Sequence, residues 1–307
     1  MPEDAAEILD AGRTYNSGHP PSSIRFGSVE ITNFWKDRPA QTILGAEQKA
    51  WFLERLRNSK AAWKIWGNTT ATLDMRADLQ NLPKGTGKPW PVNGYATSPL
   101  GDHGTAYVER GEIYDFVQAN GITGFATIAG DRHSFWAGLA AKSLPPKSFV
   151  PVGIAFVTGS ISAPTIAEAL EHALPKDHPL RSLYVGQAPG DPTPQPILNM
   201  LVRHGVRSCL EYLQTGDIAK ARALSNPDLS PHVSFIDMGG HGYSVVHATS
   251  EFFETEFVCV PRPLERSDRP DGGALSYRVK SRTSLWKNGE APKLQMQILE
   301  GDPKFSV

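Results

Sequence analysis

The residues best suited to chemistry are Asp131 and His133, in Gly130-Asp131-Arg132-His133-Ser134-Phe135-Trp136. An apolar run from Phe125 to Ala129 precedes them and stops at a glycine, as a buried strand would. In open parallel sheets, ligands bind in the crevice beyond the carboxyl ends of the strands. A carboxylate oxygen and an imidazole there suit a divalent or trivalent metal near a phosphate. Arg132 stands between them. The structural alternative is an aspartate that caps the next helix, with the histidine packed beneath it. Three further residues belong to the same question. Asn68 follows a strand over residues 62–66 and can offer its amide oxygen to a metal, or cap a turn. His103 lies in Gly101-Asp102-His103-Gly104, which pairs an acid with a histidine, and His241 lies between glycines at a turn. His241 could reach a neighbouring loop from there, and each of the two also reads as an ordinary turn histidine.

These residues need a scaffold, and the pattern supplies one. Residues 46–59 read as a helix, with Ala50, Leu53 and Leu56 on one side. A strand over 62–66, a long Pro/Gly segment over 79–104, a helix over 105–120 and a strand over 122–129 follow. That order is the grammar of a parallel βαβ unit. Residues 134–142 are expected to form a short helix, 152–158 a buried strand and 166–174 a helix. A Pro-rich excursion spans 175–196, and 197–214 form one or two helices. Strands at 233–237, 243–249 and 254–260 predict an antiparallel meander. A charged linker over 262–273 leads to a last hairpin over 275–299 with Trp286. The chain therefore reads as one α/β domain over 1–307. It divides into an irregular 1–43 (with a short helix at 5–11 and a weak strand at 23–30), an α/β region 44–174, a Pro-rich and helical 175–230 and a β-rich 231–307.

Composition excludes several classes. Lys and Arg number 31 against 32 Asp and Glu, and the two signs are mixed. That balance argues against a dedicated nucleic-acid or membrane surface. No run is long and apolar enough to span a bilayer. Met1-Pro2-Glu3-Asp4 does not begin a signal peptide. With only Cys209 and Cys259, neither a disulfide framework nor a Cys-rich zinc site can form. Cys209 falls on the apolar side of its helix and is expected in the core.

The order of blocks resembles the PhoD-like alkaline phosphatases. Leu44-Gly45-Ala46-Glu47-Gln48-Lys49-Ala50-Trp51-Phe52-Leu53, followed by Trp63-Lys64-Ile65-Trp66-Gly67-Asn68, is similar to their LG-x-x-Q-x-x-W-L and W-K-x-x-x-N region. Gly130 to His133 resembles their G-D-x-H motif. Val157 to Ser162 resembles their strand ending in a Ser-rich loop, and His241-Gly242-Tyr243 their C-terminal G-Y strand. Arg25-Phe26-Gly27 is similar to their R-F-G strand, but residues 31–38 replace the L-D-T-R segment. The resemblance implies a partial calcineurin-like metallophosphoesterase sandwich with a C-terminal antiparallel meander. It also implies hydrolysis of phosphomonoesters or phosphodiesters, with calcium and iron as the metals; zinc or manganese are alternatives. Asp131 and His133 carry over as metal ligands, and Asn68 as a third candidate. Three further blocks of the family, a strand ending in Cys, G-D-Y-x-Y and W-D-D-H-E, have no counterpart here. Family members are typically exported.

Three readings follow. The favoured one is a metal-dependent phosphoric ester hydrolase, weak or promiscuous because its ligand set is reduced, in which Arg132, His103 and His241 supply charge or a proton to the leaving oxygen. A second is a non-catalytic or split-gene remnant that dimerises or needs a partner chain. A third is a hydrolase using another site, with Ser160 or Ser162 paired to a histidine. The absent blocks would also leave a sheet edge bare, so the chain is expected to form a homodimer across it.

Overall fold

Apolar runs whose successive side chains point to opposite faces build the centre of this protein. Its computed structural model describes residues 1–307 except 28, 87–89, 99–101, 191–193, 263–267 and 269–273. The expected linker over 262–273 and part of the Pro-rich excursion therefore lie mostly or partly outside the described residues. Along the chain, β1 (Ser23–Phe26) and β2 (Val29–Thr32) form a hairpin, followed by β3 (Lys64–Gly67). The short β4 (Arg76–Ala77) and β5 (Ala96–Thr97) pair with each other. Next come β6 (Phe125–Ala129), β7 (Phe135–Ala141), β8 (Pro151–Val157) and β9 (Val233–Asp237). The tail holds β10 (His241–Ala248), β11 (Phe252–Val260), β12 (Tyr277–Ser284) and β13 (Gln295–Gly301). The helices are α1 (Glu3–Ala11), the short α2 (Tyr15–Gly18), α3 (Gly45–Asn58), α4 (Tyr107–Ala119) and α5 (Ile166–Ala173). They continue with α6 (Arg181–Tyr184), α7 (Ile197–His204), α8 (Val206–Thr215) and α9 (Ile218–Ala223).

A five-stranded sheet of order β3-β6-β8-β7-β9 forms the middle layer. β3, β6 and β8 are parallel, as the βαβ pattern requires. β7 is antiparallel to both β8 and β9, so β9 again runs with the first three. The carboxyl ends of β3, β6, β8 and β9 thus share one rim of the sheet, which is where Asn68, Gly130, Thr158 and Met238 follow. Phe125, Trp136, Val157 and Ile236 face a core shared with Leu56, Ile113, Tyr114 and Val117 of the helices. Ala126, Phe135, Phe156 and Phe235 face the other way, against Phe253, Phe257 and Val279 of a four-stranded antiparallel sheet. That second sheet has the order β10-β11-β12-β13, a meander. The result is an α/β sandwich with a C-terminal antiparallel meander, as the motifs implied. The opposite rim carries the turn after β12, where Lys287, Asn288, Gly289 and Glu290 are exposed and Asn288 lies against Gly121.

Three expectations are corrected. Residues 134–142 form a strand, β7, in place of a short helix. A short apolar run cannot be assigned by period alone. Here Phe135 to Ala141 is too short for a core helix and is flanked on both sides by strands that need its backbone. Gly138 shows the fit, since an added Cβ would meet the His232 carbonyl oxygen at 2.4 Å. The strand at 233–237 joins the central sheet, and the meander takes β10 to β13 instead. The first 43 residues are also more ordered than their composition suggested, with α1 docked on α4 through the Asp10 carboxylate, which accepts from the Val108 amide at 2.8 Å. Among the described residues, no helix is long and apolar enough to cross a membrane.

Phe257 joins the two sheets, with its ring centroid 5.3 Å from Phe135, 5.5 Å from Phe235 and 6.4 Å from Phe156. It is fully buried. Phe257→Ala is expected to lower the unfolding free energy by about 3–5 kcal/mol, read by urea denaturation, because rings on both sheets would line the cavity.

Candidate active site

The motif after β6 is a tight turn that sorts its side chains. The Arg132 amide donates to the Gly130 carbonyl at 2.8 Å. Asp131 and His133 adopt left-handed backbone, with φ of 67° and 47°. Few non-glycine residues do so, and Asp and His are among those that tolerate it. The turn leaves Asp131 and His133 exposed and buries Arg132 and Ser134. Ser134 Oγ donates to the Arg132 carbonyl at 2.9 Å and accepts from Trp136 Nε1 at 2.8 Å, which pins the turn to β7.

Arg132, expected to supply charge to the leaving oxygen, is instead a buried structural cation. Its Nε lies 2.7 Å from Asp102 Oδ2, its Nη2 donates to the Leu73 carbonyl, and its guanidinium sits over Trp136. Gly104 is required beside it, since a Cβ there would meet Arg132 Nη2 at 2.4 Å. His103, expected to reach a leaving group, is also fully buried. Its ring packs on Trp66 with centroids 4.9 Å apart. Its Nδ1 is 2.8 Å from Asn68 Nδ2, and its Nε2 is 3.4 Å from Glu109 Oε2. Burial pushes the Glu109 carboxyl up, but His103, Thr42 and the amides of Ile43 and Leu44 outweigh it, holding the pKa at about 2. Glu109 thus ties the start of α3 to α4 while its partner His103 orients Asn68.

Asn68 lies at the strand end as expected. Its amide nitrogen is taken by the Thr70 carbonyl at 2.7 Å and by His103, which leaves Oδ1 as the atom open to a ligand. With Thr158, Ser244, Ile128 and Val246 it lines a cavity of about 340 Å³ between the sheets. His133 Nδ1 is 2.8 Å from the Pro164 carbonyl. A carbonyl only accepts, so Nδ1 carries the proton and Nε2 of the neutral ring is the free acceptor. His241 is buried, with Nε2 3.1 Å from Glu168 Oε2, and does not share the exposure of Asp131 and His133. Sequence reading did not single out Glu168. Its signal was present, since Thr165-Ile166-Ala167-Glu168 spells a capping box, and the box is formed. Both cysteines are in the core, with Cys259 pushed up to about 12 by burial and by Asp237. Among the described residues, neither Ser160 nor Ser162 is hydrogen-bonded to a histidine; Ser160 Oγ accepts from the Ala163 amide at 2.8 Å.

Asp131 and His133 are a donor pair that fits one side of a metal site. A carboxylate oxygen is offered with an imidazole whose second nitrogen is already held by a carbonyl, the usual arrangement around a ligating histidine. Among the described residues, no three His, Cys, Asp or Glu side chains come together in a group that could hold a metal ion. On this pair alone a metal site would be incomplete.

The geometry of the turn rests on the Asp102–Arg132 pair. Removing one partner of a buried ion pair leaves an uncompensated charge and costs about 3–5 kcal/mol. Asp102→Ala is expected to destabilise the protein by that amount in urea denaturation.

A family model described as PhoD-like phosphatase matches residues 7–189. No curated protein matches the chain. One solved structure, titled "Structure of PhoD", is similar over 85% of this chain and 36% of that chain, at 15% identity and a TM-score of 0.49. The chain thus spans little more than a third of that protein's length. The family match takes in more than half of the sequence, including the Gly130–His133 turn: the chain belongs to the PhoD-like phosphatase family.

Proposed function

We propose that the chain hydrolyses phosphoric esters, acting on phosphomonoesters or phosphodiesters, with Asp131 and His133 as its metal-binding pair. The observation that carries this is the exposed, left-handed presentation of both side chains at the strand-end rim of a PhoD-like chain. A bound metal would polarise a phosphoryl oxygen and lower the pKa of a bound water. The chain's own residues do the rest. Asp131 offers a carboxylate oxygen, His133 offers Nε2, and Asn68, which follows β3 on the same rim, offers Oδ1. Arg132 and His103 act from below, the first by fixing the turn and the second by turning the Asn68 amide. Calcium and iron are the proposed metals, with zinc and manganese as alternatives. The test is hydrolysis of p-nitrophenyl phosphate and bis-p-nitrophenyl phosphate by protein supplied with each metal. Turnover is expected to fall to background with chelator, in Asp131→Ala and in His133→Ala. Turnover that survives all three would refute the metal reading.

A second reading is supported by the incompleteness of a metal site on Asp131 and His133 alone, together with the open side of the sandwich. Strands β3 and β10 are the edges of the two sheets on that side. Ile65 of β3 is 46% exposed, and Val246 of β10, which lines the cavity between the sheets, is 40% exposed. Val245 on the outer face is 51% exposed, and β10 carries no formal charge and no proline to guard its edge. Such an edge is a template for pairing with another chain. In this reading a second copy covers β10 through antiparallel β10–β10 pairing across a two-fold axis, which is self-complementary. Light scattering is expected to give a dimer for the native chain and a monomer for Val245→Lys. A monomeric native protein at the same concentration would sink this reading.

A further inference from the structure

The peptide unit joining Pro164 and Thr165 is gripped from both sides. Its carbonyl oxygen lies 2.8 Å from His133 Nδ1. Its N–H donates to Glu168 Oε2 at 2.9 Å. The same Oε2 is 3.1 Å from Nε2 of the buried His241, and Arg262 Nη1 is 3.5 Å from Oε1. His241 opens β10, and the next amide, that of Gly242, donates to the Ser160 carbonyl at 2.9 Å. The start of β10 therefore holds both ends of the loop that carries Pro164. Thr165 is fully buried and completes the capping box with the Glu168 amide at 3.3 Å. Hydrogen bonds in a chain polarise one another. A carboxylate that accepts from the N–H of a peptide enriches the oxygen at the other end of that peptide as an acceptor.

We infer that Glu168 is the positioning residue of His133, acting through the Pro164–Thr165 peptide to keep the proton on Nδ1 and Nε2 bare, with His241 holding the carboxylate in place. The arrangement is a carboxylate–histidine couple with one peptide plane inserted between the two groups. Direct couples of this kind fix the tautomer and raise the basicity of a ligating or proton-accepting imidazole, and losing the outer partner costs roughly 10–100-fold. Burial pushes the Glu168 carboxyl up, but the Thr165 amide, His241 and Arg262 outweigh it and hold it below the usual range, so the charge is present at neutral pH.

The decisive experiment reads the tautomer directly, by long-range proton–nitrogen correlation of the histidine rings in mildly alkaline buffer. The His133 signal is assigned by its loss in His133→Asn. The native protein is expected to show one His133 tautomer, protonated on Nδ1. Glu168→Gln keeps an acceptor for the helix cap and removes the charge; it is expected to populate the Nε2-protonated form. Thr165→Ala removes the other half of the cap and leaves the carboxylate, and is expected to leave the His133 signal unchanged. The kinetic consequence rests on the phosphoesterase reading: kcat for p-nitrophenyl phosphate should fall about tenfold in Glu168→Gln with little change in KM. An unchanged His133 signal in Glu168→Gln, or an equal change in Thr165→Ala, would overturn the inference. A tautomer change in a chain that shows no turnover would support the positioning role and count against the phosphoesterase reading alone.

Discussion

The arrangement of this rim depends on a buried ion pair, Asp102 with Arg132. A guanidinium taken out of water demands a partner, and the demand fixes which way the turn after β6 faces. With Arg132 committed to Asp102, Leu73 and the Trp136 ring, its two neighbours are left outside, and left-handed backbone at both accommodates that. The same pair joins the segment before α4 to the turn after β6, so the two halves of the βαβ unit are locked at the end where ligands would approach. Arg110 repeats the device deeper in the molecule, bidentate to Asp74 at 2.7 and 2.9 Å. Both arginines are almost wholly buried. Charge here is a framework material, and the residues left for chemistry are the ones the framework excludes.

Much of the fold was legible from pattern. The parallel strands at Phe125–Ala129 and Pro151–Val157 are continuous apolar runs, as strands covered on both faces must be. The helix α4 was legible from Ile113, Tyr114 and Val117, and Cys209 from its apolar neighbours. The failure at β7 has a physical cause. Phe135-Trp136-Ala137-Gly138-Leu139-Ala140-Ala141 carries no polar residue to reveal a period, and only its place between β8 and β9 decides its state. β9 was misassigned for a related reason, since a buried strand can serve either sheet and sequence does not say which edge is free.

The site was legible in part. Gly130 to His133 was found as a motif, and the strand-end placement followed from the glycine. What could not be read was the sorting of adjacent polar residues into exposed and buried. Arg132 lies between two exposed neighbours, yet its long side chain ends in the core; nothing local distinguishes it. His103 was indistinguishable from a turn histidine until Glu109, Asn68 and Trp66 were seen around it. Glu168 was within reach, because a Thr three residues before a Glu at the head of an apolar helix is a recognisable cap. Its second task, toward His133, appears only when the Pro164 carbonyl is placed.

The far rim of the sandwich supplies a practical handle. The turn after β12 exposes Lys287, Asn288, Gly289 and Glu290, and Gly289 has the positive φ of a tight turn. It lies a full strand length from Asp131 and His133, across a core of interlocked aromatic rings. Exposed turn tips of this kind accept added residues more readily than strands do. A fluorophore or an affinity peptide grafted there would allow the protein to be immobilised or tracked with its strand-end rim left open to solution.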